Sequence, residues 1–165
     1  MWIYSDKIRG DGDINKILSF VINTKNELLI LKGSPNDPQF KKSLWYVVTG
    51  GCEKFDNSIE STVIREIKEE TDLDVIETFY LNWIFKYKSL GSDCVEYAYI
   101  SFVNDAQVRL NEESIEYRWC TVDEFIKMID WYGDKAVLRQ VLEKAMKKEK
   151  LWNCEKVEAI INEVL

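Results

Sequence analysis

The sequence predicts an α/β (α+β) sandwich with a mixed β-sheet and further helices at the C-terminal end. Two observations carry this. β-Prone apolar runs stand on both sides of one amphipathic helical stretch, so the order is strands, helix, strands, helices, and not a regular βαβ alternation. The length of 165 residues and the 46% hydrophobic content suit one domain with a real core, spanning 1–165 and ending in a C-terminal helical extension over 134–165.

Taken in order, Ile17 to Ile22 and Glu27 to Leu31 read as a hairpin, because Asn23-Thr24-Lys25-Asn26 between them has turn chemistry. Gly33 to Lys42 holds both prolines, Pro35 and Pro38, and reads as a loop. Leu44 to Thr49 is the next strand, which Gly50-Gly51 is expected to end. From Ser58 to Thr71, apolar Ile59, Val63 and Ile67 recur at a spacing of four and predict an amphipathic helix. Val75 to Tyr87 and Val95 to Val103 are rich in aromatic and β-branched residues and form the next strand pair, followed by a short strand at Tyr117 to Cys120. Thr121-Val122-Asp123-Glu124 has the form of a capping box and opens a helix to about Asp130. Helices over Asp134 to Lys150 and Glu155 to Val164 complete the chain.

A formal net charge of -7 and a pI near 4.8 argue against nucleic acid as a partner, since affinity for a phosphate backbone needs clustered Lys and Arg. No run approaches the roughly 18 apolar residues of a membrane span, and Met1 to Asp6 lacks the basic opening of a signal peptide. Cys52, Cys94, Cys120 and Cys154 have no short paired spacing, which fits neither a zinc site nor a disulfide framework and points to a reducing, cytoplasmic setting. The absence of histidine removes Ser-His-Asp and Cys-His chemistry, so catalysis must rest on carboxylates, lysines, tyrosines or metal.

The chemistry concentrates in the helix at 58–71. Residues three and four apart on a helix are neighbours, so Glu66, Glu69 and Glu70 share one face while Ile59, Val63 and Ile67 supply another. Such a run is the ordinary pattern of a solvated helix face. Carboxylates at this spacing also repel one another, and a hard divalent cation such as Mg²⁺, bridging them to substrate phosphates, is the natural counterion.

The surrounding residues favour the metal. The stretch Gly51 to Leu73 resembles the Nudix box, Gly-x5-Glu-x7-Arg-Glu-U-x-Glu-Glu-x-Gly-U with U a bulky aliphatic residue, in register at Gly51, Arg65, Glu66, Ile67, Glu69, Glu70 and Leu73. It departs from the pattern at Asn57, where glutamate is expected, and at Asp72, where glycine is expected. Asp72 suits a left-handed helix end. At Asn57 a carboxylate that would hold the loop or pair with Arg65 gives way to a weaker, neutral hydrogen bond, so either activity is reduced or the loop is held otherwise. The resemblance implies an α/β/α sandwich, Mg²⁺ (or Mn²⁺) held by Glu66, Glu69 and Glu70, Arg65 orienting the carboxylates, and water attacking a phosphorus of a small-molecule triphosphate.

The likeness extends beyond the box. Leu44-Trp45-Tyr46-Val47-Val48-Thr49-Gly50 resembles the lead-in of the dihydroneopterin triphosphate and dATP pyrophosphatase branch, as does Glu113-Ser114-Ile115-Glu116-Tyr117-Arg118-Trp119 with Trp131 beyond it, although Ser114 replaces that branch's histidine. This implies a nucleotide or pterin triphosphate as the partner, with Trp45, Tyr46, Gly50 and Gly51 next to it; the alternatives are ADP-ribose, a nucleotide-sugar or a dinucleoside polyphosphate as substrate, or a non-hydrolytic nucleotide-binding sensor. Glu113 is either a further metal ligand or general base, or a surface glutamate. Trp83, Phe85 and Tyr87 share a strand face, as do Tyr97 and Tyr99; such stripes fill a core or stack on a heterocycle. Lys32, Lys41 and Lys42 either meet phosphates or are solvated. The C-terminal helices form a lid, a partner surface or a dimer contact, which leaves monomer and homodimer both open.

Overall fold

A computed structural model describes residues 14–36, 42–89 and 91–148. Among these, the order is β1 (Ile14–Ile22), β2 (Leu28–Gly33), β3 (Trp45–Tyr46), β4 (Val48–Gly51), α1 (Ile59–Thr71), β5 (Val75–Ser89), β6 (Ser92–Val103), β7 (Ser114–Cys120), α2 (Val122–Met128) and α3 (Lys135–Met146). The expected helix at Glu155 to Val164, together with Pro38, Lys41 and Cys154, lies outside the described residues.

The strands form one mixed sheet. β1 runs parallel to β6 from Ile14↔Cys94 to Ile22↔Phe102, and β5 closes that side antiparallel to β6. The expected hairpin survives only at its turn: β1 and β2 pair at Ile22↔Leu28 and then splay apart. The gap is filled by the segment read as one strand, which divides at Val47. β3 pairs with β2, and β4 pairs with β1 from Lys16↔Gly51 to Ser19↔Val48. Gly50 and Gly51 therefore continue the strand they were expected to end. Every backbone group along the open edge of β1 needs a partner, and β4 supplies it where β2 has moved away. β2 pairs on its other side with β7, which is longer than expected.

Alternation along β1 explains the layers. Ile17 and Val21 face α1, whose Ile59, Val63 and Ile67 complete one core cluster. Leu18, Phe20 and Ile22 face the other way, into a cluster with Phe125 of α2 and Val137, Leu138, Val141 and Leu142 of α3. Helices thus cover both faces, as the sandwich requires, and the apolar face of α3 is built into the core. Thr121 caps α2 with the reciprocal box read from the sequence. No helix among the described residues is long and apolar enough to cross a membrane. Cys52, Cys94 and Cys120 are buried free thiols.

Candidate active site

α1 sets the position of each carboxylate. Ser58 caps its N-terminus, accepting from the Ser61 amide at 3.0 Å, and the apolar stripe fixes its rotation against the sheet. That rotation buries Thr62, Glu66 and Glu70 along with the aliphatic residues. At the C-terminus Asp72 is left-handed, with φ 61°, as its place in the box predicts.

Glu66 and Glu70 meet Glu113 from the loop before β7, with one oxygen from each within 4.8 Å of the others. The backbone carbonyl of Glu113 accepts from the Ser34 amide at 2.9 Å, and its carboxylate accepts from Asn111 at 3.0 Å, which ties this loop to the end of β2. Burial pushes the Glu66 carboxyl up to about 7, with Glu69 and Glu113 adding to the rise and Arg65 opposing it. Burial, and then the charges of Glu113 and Glu66, drive Glu70 well above the usual carboxylate range. Glu70 Oε2 is buried without a hydrogen-bond partner among the described residues. Three crowded acidic groups, one with an orphaned oxygen, have the chemistry of a hard-cation site, so the donor set fits the Mg²⁺ that the box implies.

Glu69 stands apart from this trio. Half-exposed, it accepts from Arg65 NH1 at 3.2 and 3.4 Å. Arg65 also donates to Glu66 Oε1 at 2.9 Å and to the Gly51 carbonyl at 3.0 Å. The neutral bond expected from Asn57 is not what holds the guanidinium. Asp56 does so with both oxygens, at 2.9 Å from Nε and 2.9 Å from NH2. Burial alone would raise the Asp56 carboxyl, but hydrogen bonds from Arg65, the Glu53 amide and Thr62 outweigh it and hold the group below its ordinary value. Asp56 was missed in the sequence because it stands one position before the glutamate of the pattern; that adjacency was the signal.

Gly50 and Gly51 differ in role. A Cβ at Gly50 would lie 2.1 Å from the Glu66 carboxyl carbon, whereas one at Gly51 would meet nothing within 4 Å. Gly50 makes room for the carboxylate, and Gly51 offers its carbonyl to Arg65. Tyr46 lines a small cavity of about 70 Å³ with Lys42, Thr49, Glu70 and Glu113. Trp45 is not among the residues lining it; its ring lies 5.7 Å from Lys32 Nζ and 5.2 Å from the Arg118 guanidinium, and its amide donates to Asp130.

The aromatic stripes divide between both readings. Tyr97 and Tyr99 are core. Trp83, Phe85 and Tyr87, with Trp131 and Tyr132, line an open cleft of about 520 Å³. Trp131 organises it, stacking with both Tyr46 and Tyr132 at centroid distances of 6.0 Å. In the sheet beneath, Glu96 accepts from the Tyr87 hydroxyl at 2.9 Å, and burial pushes its carboxyl up to about 7. The register runs Gly51, Lys16, Glu96, Phe85 across β4, β1, β6 and β5, so Phe85 of the cleft and the end of β4, from which the Asp56 loop leaves, lie along one row of the sheet.

A family model for the NUDIX domain matches residues 15–141, covering the loop, the helix and the cleft alike. The chain belongs to the Nudix family. This Nudix chain is 25% identical over 112 residues to Nudix hydrolase 5 of Arabidopsis thaliana, and the match covers 66% of the chain but 36% of that relative. Its fold is similar to that of the MutT protein from Methanosarcina mazei Go1, with a TM-score of 0.64 and 23% identity over 84% of this chain and 95% of the other. It is also similar to the NUDIX domain of Shewanella oneidensis NrtR complexed with ADP ribose, with a TM-score of 0.65 and 16% identity over 87% and 94% of the two chains.

Proposed function

We propose that this Nudix protein is a Mg²⁺-dependent pyrophosphohydrolase that converts a nucleoside triphosphate or dihydroneopterin triphosphate to the monophosphate and pyrophosphate. The observation that carries the reading is the convergence of Glu66, Glu70 and Glu113, with Glu70 Oε2 buried and unpartnered among the described residues, beside a Nudix box in register. Mg²⁺ held by these three carboxylates would neutralise phosphate charge and acidify a bound water. Arg65 restrains the Glu66 carboxylate beside Glu70 and Glu113. Lys42, on the wall of the small cavity, is available to a phosphate oxygen. Glu69, half-exposed and outside the trio, accepts the proton of the attacking water as the P–O anhydride bond breaks and pyrophosphate departs. The heterocycle stacks in the aromatic cleft, whose flat rings suit a purine or pterin.

The test is release of pyrophosphate or monophosphate from dNTPs, NTPs, dihydroneopterin triphosphate, ADP-ribose and diadenosine polyphosphates, with Mg²⁺ and then with excess chelator. Chelator-sensitive pyrophosphate release from one triphosphate supports the reading; turnover of ADP-ribose or a dinucleoside polyphosphate alone replaces the substrate, and silence throughout overturns the hydrolase. Glu70→Gln should lower turnover by about 100-fold or more, since even a neighbour that only orients a metal ligand costs about 10- to 100-fold. Turnover near wild type in that variant would remove Glu70 from the site.

A further inference from the structure

We infer that Asp56 is a positioning residue for the metal site, supplying from one place earlier in the loop the carboxylate that position 57 lacks. The inference rests on the reading of Glu66, Glu70 and Glu113 as metal ligands. Asp56 is only 6% exposed although it belongs to a surface loop whose Glu53, Lys54, Phe55 and Asn57 are all exposed. A carboxylate is taken out of water at this cost only when its oxygens are well satisfied. Here they are: besides the two bonds from Arg65, Oδ2 accepts from Thr62 Oγ1 at 2.8 Å and from the Glu53 amide at 2.8 Å. The last two partners matter because they fix the carboxylate independently of Arg65. The loop backbone and α1 together hold Asp56, and Asp56 in turn holds the guanidinium.

The consequence passes along a short chain. With Nε and NH2 committed to Asp56, the planar guanidinium has one orientation, and NH1 is left for Glu66 at 2.9 Å and Glu69 at 3.2 Å. The ring of Phe55, with its centroid 5.3 Å from the guanidinium carbon, covers the same group. The Glu66 oxygen bound by Arg65 cannot swing freely, so the carboxylate stays turned toward Glu70 and Glu113. Asn57, exposed in the same loop, is no deficiency in the site, because the charge it fails to supply is already present.

The experiment measures Mn²⁺ binding by electron paramagnetic resonance of the free ion, alongside kcat and KM, in the full chain and in Asp56→Asn and Asn57→Glu. Asp56→Asn should weaken Mn²⁺ binding by about 10- to 100-fold and lower kcat by a similar factor with a smaller change in KM, as expected for loss of a group that orients a metal ligand. Asn57→Glu changes only an exposed loop position and should leave binding and kcat within about twofold of wild type. Folded Asp56→Asn that binds Mn²⁺ as well as wild type overturns the inference. So does a gain of tenfold or more in Asn57→Glu, which remains decisive even if Asp56→Asn fails to fold. A wild-type chain that binds no Mn²⁺ overturns the metal reading and the inference together. Wild type that binds Mn²⁺ yet hydrolyses no triphosphate, with binding weakened in Asp56→Asn, overturns the substrate reading and supports the inference.

Discussion

Gly50 shows how one absent side chain shapes the site. A methyl group there would sit 2.1 to 2.5 Å from three atoms of the Glu66 side chain, so Gly50→Ala must displace the carboxylate or the strand. The expected outcome is a folded protein destabilised by about 1–3 kcal/mol, the usual cost of an overpacked position, with metal affinity and turnover both reduced. Gly51→Ala faces open space and should leave both near wild type. Urea unfolding with a Mn²⁺ titration separates the pair; equal effects at the two positions would refute this division of roles. The sequence marked Gly51 by its place in the box and Gly50 by its place in the lead-in, but only the proximity of α1 shows what each does. Likewise Glu66 and Glu70 were legible from spacing and Arg65 from the box, whereas Asp56 was not, because a loop carries no periodicity to say which of two adjacent side chains points inward.

Among the elements, α1 was legible nearly to the residue, since its apolar stripe, Ser58 cap and left-handed terminus are all local signals. Asp72 replaces glycine at that terminus and carries a left-handed backbone, eased by the Lys68 ammonium, which lies 3.2 Å from its carboxylate. Asp72→Gly should relieve conformational strain and raise stability by less than about 1 kcal/mol, partly offset by the lost ion pair at an exposed site. Activity should not change, because glycine keeps the left-handed backbone that ends the helix beyond Glu66 and Glu70. A thermal melt with an activity assay tests this; a large fall in turnover would show that Asp72 acts on the site. The β1–β2 hairpin was legible only in part. Its turn residues are local signals, but the splay that admits β3 and β4 depends on strands far along the chain.

Across the whole molecule, the buried Glu96 joins the sheet to the cleft. Lys16 faces it from β1, Tyr87 from β5, Tyr46 from β3 and Tyr132 from the segment after α2. Its folded value of about 7 exceeds the ordinary 4.5, so the folded state binds the proton more tightly. The corresponding stability is complete below pH 4.5 and is lost as pH rises through about 7. Replacing it with a neutral amide should flatten this part of the pH dependence, leaving Glu96→Gln more stable than wild type at pH 8 by up to about 3 kcal/mol. Glu66 and Glu70 carry shifts of the same sign, so the measurement is the difference between wild type and variant in urea midpoints at pH 5 and pH 8. An unchanged difference across that range would show that Glu96 titrates normally.

The sequence by itself determined what periodicity and local chemistry can encode: the amphipathic α1, the capped α2, the β-prone runs and the in-register box that marks Arg65, Glu66, Glu69 and Glu70. Tertiary structure decided the rest. It brought Glu113 to Glu66 and Glu70 across more than forty positions of chain, left Glu69 outside that trio, turned Asp56 inward in place of Asn57, and divided the aromatic residues between core and cleft. The physical reason is the same in each case. A side chain's type and spacing are properties of its own segment, but its burial and its partners depend on which distant segment folds against it.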